Sequence, residues 1–303
     1  MCLLRKRIRT PLVFRPGLLI MKTIVTHYAP DVDAVTSVWL LKTFLPEWHE
    51  ADIAFVPAGT TWGGSIVDSD PEIFHVDTGL GMLDHHQSNE DTCAARKTLE
   101  YVKNELSRQN NSGWENEALE RLVDVVNDID HFREVYYPNP TADLYELSLI
   151  GIMDGWKLLF SEDSRKIAEL SMVALDGIYR KFQDKIWAEK EIKEKGIEFK
   201  SKWGKGIGLD TVNDETVKLA QKMGYVIAVR KDPNKDYVRI KANPGSKVDL
   251  KTTYNKLRKK DRDATWYLHP SRKMILNGSM KNPETKATNL TLREIIEILR
   301  KNN

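Results

Sequence analysis

The chain has little cysteine and no long apolar run. Cys2 and Cys93 are its two cysteines in 303 residues. Two are too few for a disulfide framework or a thiolate zinc cage, so a reducing interior, the cytoplasm, is expected. No stretch approaches the ~18 consecutive apolar residues that cross a bilayer, and no membrane partner is expected. Internal repeats and low-complexity tracts are also missing. A wholly disordered chain is excluded, because 41% hydrophobic residues with 17 glycines lies in the range of soluble globular proteins. At roughly 150 residues per domain the length suggests two domains.

Net charge is close to absent, at +2, but its distribution is lopsided. Residues 1–180 hold 17 basic and 28 acidic groups, whereas residues 181–303 hold 29 and 16. An acidic half joined to a basic half suits a cation-binding lobe facing an anion-binding lobe, although two ordinary solvated surfaces would give the same count.

Residues 1–20 carry Arg5, Lys6, Arg7 and Arg9 and no acidic residue. They are expected to be a disordered extension upstream of a natural start at Met21, with a basic targeting segment as the alternative. From 21 to 160 strand-like runs at 23–26, 53–56 and 74–76 alternate with helical periods at 34–45, 94–106 and 118–129. This pattern predicts an α/β fold with a mostly parallel sheet covered by helices. Residues 161–198 read as a long Lys/Glu-rich connector helix. Residues 199–303 read as a second, smaller α+β domain, basic in character, with helices at 216–223, 250–260 and 292–299. Trp39, Trp156 and Trp187 fall in helical periods and are expected in the core.

Three short segments carry chemistry. His27-Tyr28-Ala29-Pro30-Asp31-Val32-Asp33-Ala34 begins where the first strand stops and ends in a helix. Val76-Asp77-Thr78-Gly79 follows another strand, and Leu83-Asp84-His85-His86-Gln87 comes shortly after. Each segment alone is weak: Asp77 can cap a turn, and Asp-His-His can be a solvated loop. Together, at one predicted sheet edge, they gather four aspartates and three histidines. Carboxylates packed so closely raise one another's pKa unless a cation neutralises them. Oxygen and imidazole ligands without thiolates suit Mn²⁺ first, then Mg²⁺ or Co²⁺, with Fe²⁺ and Zn²⁺ as further options. Five or more ligands exceed one tetrahedral site, so two divalent ions are expected, with a bridging hydroxide between them.

These segments resemble the motifs of the DHH phosphoesterase superfamily, which includes RecJ-type nucleases, oligoribonucleases and cyclic-dinucleotide phosphodiesterases. The ending Asp84-His85-His86-Gln87 is also similar to the Myg-type relatives. The resemblance covers residues 21–160 well and the rest in outline. It implies that His27 and Asp31 hold one metal, Asp33 and His85 the other, and Asp77 both. It further implies that Asp84 orients a ligand imidazole and that His86 faces the substrate phosphate. A helix-borne aspartate completes the set, with Asp130 preferred and Asp128 the fallback. In the second lobe the family's Gly-Gly-Gly-His signature is replaced by Tyr267-Leu268-His269-Pro270-Ser271-Arg272-Lys273 and Asn277-Gly278-Ser279. There His269, Arg272, Lys273 and Gly278 are the expected substrate-binding residues.

The implied activity is metal-dependent phosphodiester hydrolysis of short oligonucleotides, single-strand ends or cyclic dinucleotides. Expected partners are a phosphorylated small molecule or oligonucleotide, single-stranded nucleic acid, and a second copy in a homodimer. A manganese-dependent inorganic pyrophosphatase is the first alternative, since Ser271-Arg272-Lys273 is similar to a late segment of those enzymes. A non-catalytic nucleotide-binding module is the second.

Overall fold

The computed structural model describes residues 21–110, 113–278, 282 and 284–301. The expectation for residues 1–20 lies outside the described residues. Two compact units divide the chain, Met1–Gly177 and Ile178–Asn303. The boundary falls inside one long helix, Ser164–Lys195.

The first unit is built on three strands, β1 (Thr23–His27), β2 (Asp52–Val56) and β3 (Ile73–His75), in the order β2-β1-β3. All pairings are parallel, with Thr23 opposite both Asp52 and Ile73. The middle strand β1 is short and rich in β-branched residues, and its three central side chains are buried. Helix α1 (Val32–Phe44) follows directly and buries ten consecutive residues, Val32 to Leu41. A helix enclosed on every side needs no polar stripe. It packs against α2 (Ala94–Asn110) and α3 (Glu117–Asp130). Trp39 lies in this core and donates from Nε1 to Asp176 Oδ1 at 2.8 Å.

Helix α3 buries Ala118, Leu119, Leu122, Val123 and Val126, an i, i+3, i+4 stripe. A short helix, α4 (Leu149–Leu159), was not legible as a separate element in the sequence, and it buries only Met153. The long helix Ser164–Lys195 is α5. Among the described residues no helix is long and apolar enough to cross a membrane.

The second unit holds a six-stranded mixed sheet, β4 (Ile197–Ser201), β5 (Gly204–Asp210), β6 (Ile227–Lys231), β7 (Val238–Ala242), β8 (Trp266–Leu268) and β9 (Met274–Asn277). Its order is β4-β5-β6-β7-β9-β8. Only β5 and β6 run parallel, with α6 (Glu215–Lys222) between them in sequence. Helices α7 (Lys251–Lys260) and α8 (Leu292–Arg300) cover one face through Leu257, Leu292, Ile295, Ile296 and Leu299. Helix α8 starts with a capping box between Thr291 and Glu294. Gly208 is glycine because a Cβ there would lie 2.7 Å from the Ile296 side chain. Trp187 departs from its expected core position and is 43% exposed. The buried stripe of that part of α5 runs through Ala188 and Ile192, and Trp187 stands beside it.

Candidate metal centre

Strand β1 ends on His27, and the chain turns at once into α1. Asp31 is the N-cap of α1, its Oδ1 accepting from the Asp33 and Ala34 amides at 3.0 Å. Asp33, two residues further, is fully buried. Its Oδ2 accepts from Ala94 N at 2.8 Å and its Oδ1 from Ala95 N at 2.7 Å, so this carboxylate also anchors the start of α2.

Asp77 follows β3 in the left-handed region, at φ +53°, a conformation that aspartate tolerates better than most residues. The loop it opens closes on itself. Asp77 N donates to Leu83 O at 3.1 Å, Val76 bridges Leu83, and Leu80 N donates to Asp84 Oδ2 at 2.7 Å. This closure brings Asp77 and the Asp84-His85-His86 segment together.

The side chains converge. His27 Nε2 lies 3.3 Å from Asp77 Oδ2 and 3.8 Å from Asp31 Oδ2. His85 Nε2 lies 3.5 Å from Asp77 Oδ1, 3.6 Å from Asp130 Oδ2 and 3.8 Å from Asp33 Oδ2. Three groupings result, His27/Asp31/Asp77, Asp33/His85/Asp130 and Asp77/His85/His86, each with ligand atoms within 4.8 Å of one another. Asp77 and His85 each belong to two.

Charge in this cluster is unbalanced. Burial lowers the His27 pKa, but Asp77, the Tyr28 carbonyl and Asp31 outweigh it and hold the group at about 9. Asp77 raises His85 to about 9, with Asp130 and Asp33 assisting against burial. Burial, then Asp77 and Asp130, push the Asp33 carboxyl well up. Burial and the carboxylates Asp77 and Asp31 also raise Asp130, against His85. Burial opposes the charge on Asp77, but the imidazoles of His27 and His85 hold it below the ordinary carboxylate range. Asp77 Oδ1 and His85 Nε2 are buried and have no hydrogen-bond partner among the described residues, although buried polar atoms are nearly always satisfied. Unsatisfied ligand atoms, raised histidines and mutually repelling carboxylates all fit divalent cations with oxygen and nitrogen ligands.

The remaining expected residues divide clearly. Asp84 is buried and holds His86, its Oδ1 facing His86 Nδ1 at 2.7 Å; His86 itself is 58% exposed at the side chain. Asp130 reaches the cluster, while Asp128 pairs with Arg133 at 3.1 Å. Helical period explains the difference: Asp130 is four residues beyond buried Val126 and shares its face, and Asp128 points elsewhere. His75 is scaffold, with Nδ1 2.9 Å from Asp68 and Nε2 accepting from Trp62 N at 3.0 Å. Lys97 was not singled out in the sequence, and it donates to the Asp84 carbonyl at 2.5 Å. Beside Asp31 and Asp130 lies a cavity of about 250 Å³ whose far wall is Met153, Asp154 and Lys157 of α4.

In the second unit the four expected substrate residues do not gather. Strand β9 runs from Met274 to Asn277 and separates Lys273 from Gly278 by five steps, ~16 Å. Lys273 Nζ donates to the carbonyls of Ser246 at 2.5 Å and Val248 at 2.6 Å. Arg272 pairs with Asp249 at 3.0 Å, and His269 Nδ1 meets Ser271 Oγ at 2.8 Å. His269, Arg272 and Lys273 therefore lie at one end of β9 and Gly278 at the other.

No protein-family model matches the chain, and no curated protein matches it. Among solved structures, a protein named as a DHH-domain member of the s1p family of ribosomal proteins is similar at 13% identity and a TM-score of 0.31, over 93% of this chain and 86% of that one.

Proposed function

We propose that this chain is a divalent-metal-dependent phosphohydrolase acting on phosphodiesters, namely short oligonucleotides, single-strand ends or cyclic dinucleotides. One observation carries the reading: the two oxygens of Asp77 face different histidines, Oδ2 toward His27 and Oδ1 toward His85. A carboxylate so placed can serve two cations at once. His27 and Asp31 would hold one ion, Asp33, His85 and Asp130 the other, and Asp77 both. Two such ions, Mn²⁺ by preference, would supply positive charge for the phosphoryl group and make water more acidic.

The chain's own residues do the rest. Asp84 holds His86 through Nδ1, which leaves Nε2 to bind the phosphate or deliver a proton to the leaving oxygen. Asp33 ties its ligand position to the rigid start of α2. Lys97 fixes the backbone under the His85-His86 pair through the Asp84 carbonyl.

The test is Mn²⁺-dependent hydrolysis of a linear dinucleotide and a cyclic dinucleotide by the full chain and by Asp77→Asn. A loss of about a thousandfold or more is expected for the variant. Undiminished activity removes Asp77 from the scheme. Pyrophosphate turnover exceeding dinucleotide turnover moves the assignment to a pyrophosphatase, a reading that needs Lys273 to leave its two carbonyls.

A further inference from the structure

The second unit contains a cavity of about 580 Å³, lined by Val212, Asp214, Arg230, Lys235, Arg239 and Gly278 among others. That volume lies within the range of small-molecule sites. It opens where β5 and β6, the parallel pair of this sheet, reach their carboxyl ends. Ligand sites of α/β sheets form at that edge. It is also the end of β9 opposite the Ser271-Arg272-Lys273 hairpin.

Arg230 on β6 and Arg239 on β7 are direct register partners. Like charges placed opposite one another on adjacent strands destabilise a sheet. Among the described residues Asp214 relieves both: its Oδ1 lies 2.7 Å from Arg230 Nε and its Oδ2 2.8 Å from Arg239 NH1. Asp232 is already committed, because its Oδ1 accepts from Asn234 N and Lys235 N and its Oδ2 lies 3.4 Å from Arg230. Lys218 and Lys241 enlarge the excess. Burial, then Arg239 and Lys218, push the Lys241 pKa down, and Asp214 alone opposes them. Asp214 is half-exposed, and although it stands at the N-cap of α6 its side chain makes no capping bond. Its carboxylate is turned to the arginines instead. Gly278 keeps the wall open, since a Cβ there would lie 2.0 Å from the Tyr237 ring.

We infer that this cavity is an anion site, in which Arg230, Arg239 and Lys235 bind the phosphate of a phosphomonoester of nucleotide size, and Asp214 holds the phosphate's place in its absence. Two guanidinium groups converging on one carboxylate have the geometry that a phosphate takes up. Binding frees Asp214 to cap α6. The site is independent of the metal centre and of the activity proposed for it.

The test is calorimetric titration of the full chain in EDTA with inorganic phosphate, adenosine 5′-monophosphate and adenosine. Saturable binding of phosphate and the monophosphate, and none of adenosine, is expected. Tighter binding of the monophosphate supports the phosphomonoester as the occupant, and equal binding overturns that identification in favour of free phosphate. Arg239→Gln is expected to weaken binding about tenfold. Asp214→Asn is expected to tighten it, a gain that misfolding cannot produce. Asp77→Asn should leave it unchanged. Absence of phosphate binding, adenosine binding equal to the monophosphate, retention in Arg239→Gln, or loss in Asp77→Asn overturns the inference.

Discussion

The metal-free protein carries a pH signature that Asp77→Asn should invert. In the folded chain His27 titrates near 9 against an ordinary 6.5. A raised histidine contributes stability that is complete below 6.5 and is lost as the pH climbs through about 9. The lowered Asp77 carboxyl contributes in the opposite direction, above its ordinary value of 3.8, and is lost as pH falls. The attraction between Asp77 and the two imidazolium groups is therefore complete around pH 5–6.5 and gone near pH 10. The His27 shift corresponds to a net of ~3 kcal/mol, which burial diminishes and which Asp77, the Tyr28 carbonyl and Asp31 build together. Removing the Asp77 charge in EDTA at pH 6 should cost roughly 1–3 kcal/mol, or roughly 2–5 °C in midpoint for a chain of this size. Near pH 10 the histidines are largely neutral, and Asp77 faces the carboxylates of Asp31, Asp33 and Asp130. The same substitution should then stabilise the protein. Thermal or urea unfolding across pH 5.5–10 with chelator is the assay. A midpoint difference of constant sign and size across that range would refute the electrostatic account of the cluster.

Metal loading at pH 7.5 must displace the protons of His27 and His85, both near 9; calorimetry in buffers of different ionisation enthalpy should show release of ~2 protons, and zero release would contradict the ligand assignment. Asp130→Asn should leave the metal-free protein as stable or slightly more stable near pH 7, because burial and its acidic neighbours disfavour its charge, while elemental analysis shows reduced metal content. Asp33→Ala should destabilise by roughly 1–2 kcal/mol and speed amide exchange at the start of α2, where Ala94 and Ala95 lose their acceptor. Gly278→Ala should cost roughly 1–3 kcal/mol in chemical denaturation, through collision with the Tyr237 ring and a φ of +81°; an unchanged midpoint would show that Tyr237 can move aside.

Features confined to one segment are legible in the order of residues alone. Apolar runs of strand length at 23–26, 53–56 and 74–76 correspond to β1, β2 and β3. Three polar motifs stand at or just after strand ends because a strand that stops at a buried edge must turn there. The period of α3 separates Asp130 from Asp128, since Val123 and Val126 already mark the inward face. The Thr291–Glu294 spacing likewise announces the start of α8.

Features that depend on register between distant segments emerge only from the folded chain. No local pattern shows that Asp33 must serve α2 as well as the cluster, 61 residues away from Ala94. None shows that the oxygens of Asp77 part toward different histidines, because the closed loop from Asp77 to Leu83 sets that orientation. His269, Arg272, Lys273 and Gly278 look adjacent in sequence, yet an extended strand of ~3.3 Å per residue carries Gly278 to the far end of the sheet. Arg230 and Arg239 look unremarkable as neighbours in sequence, and only antiparallel pairing of β6 with β7 sets their charges face to face. Side-chain period is a property of one segment, whereas opposition of charges is a property of two segments in register.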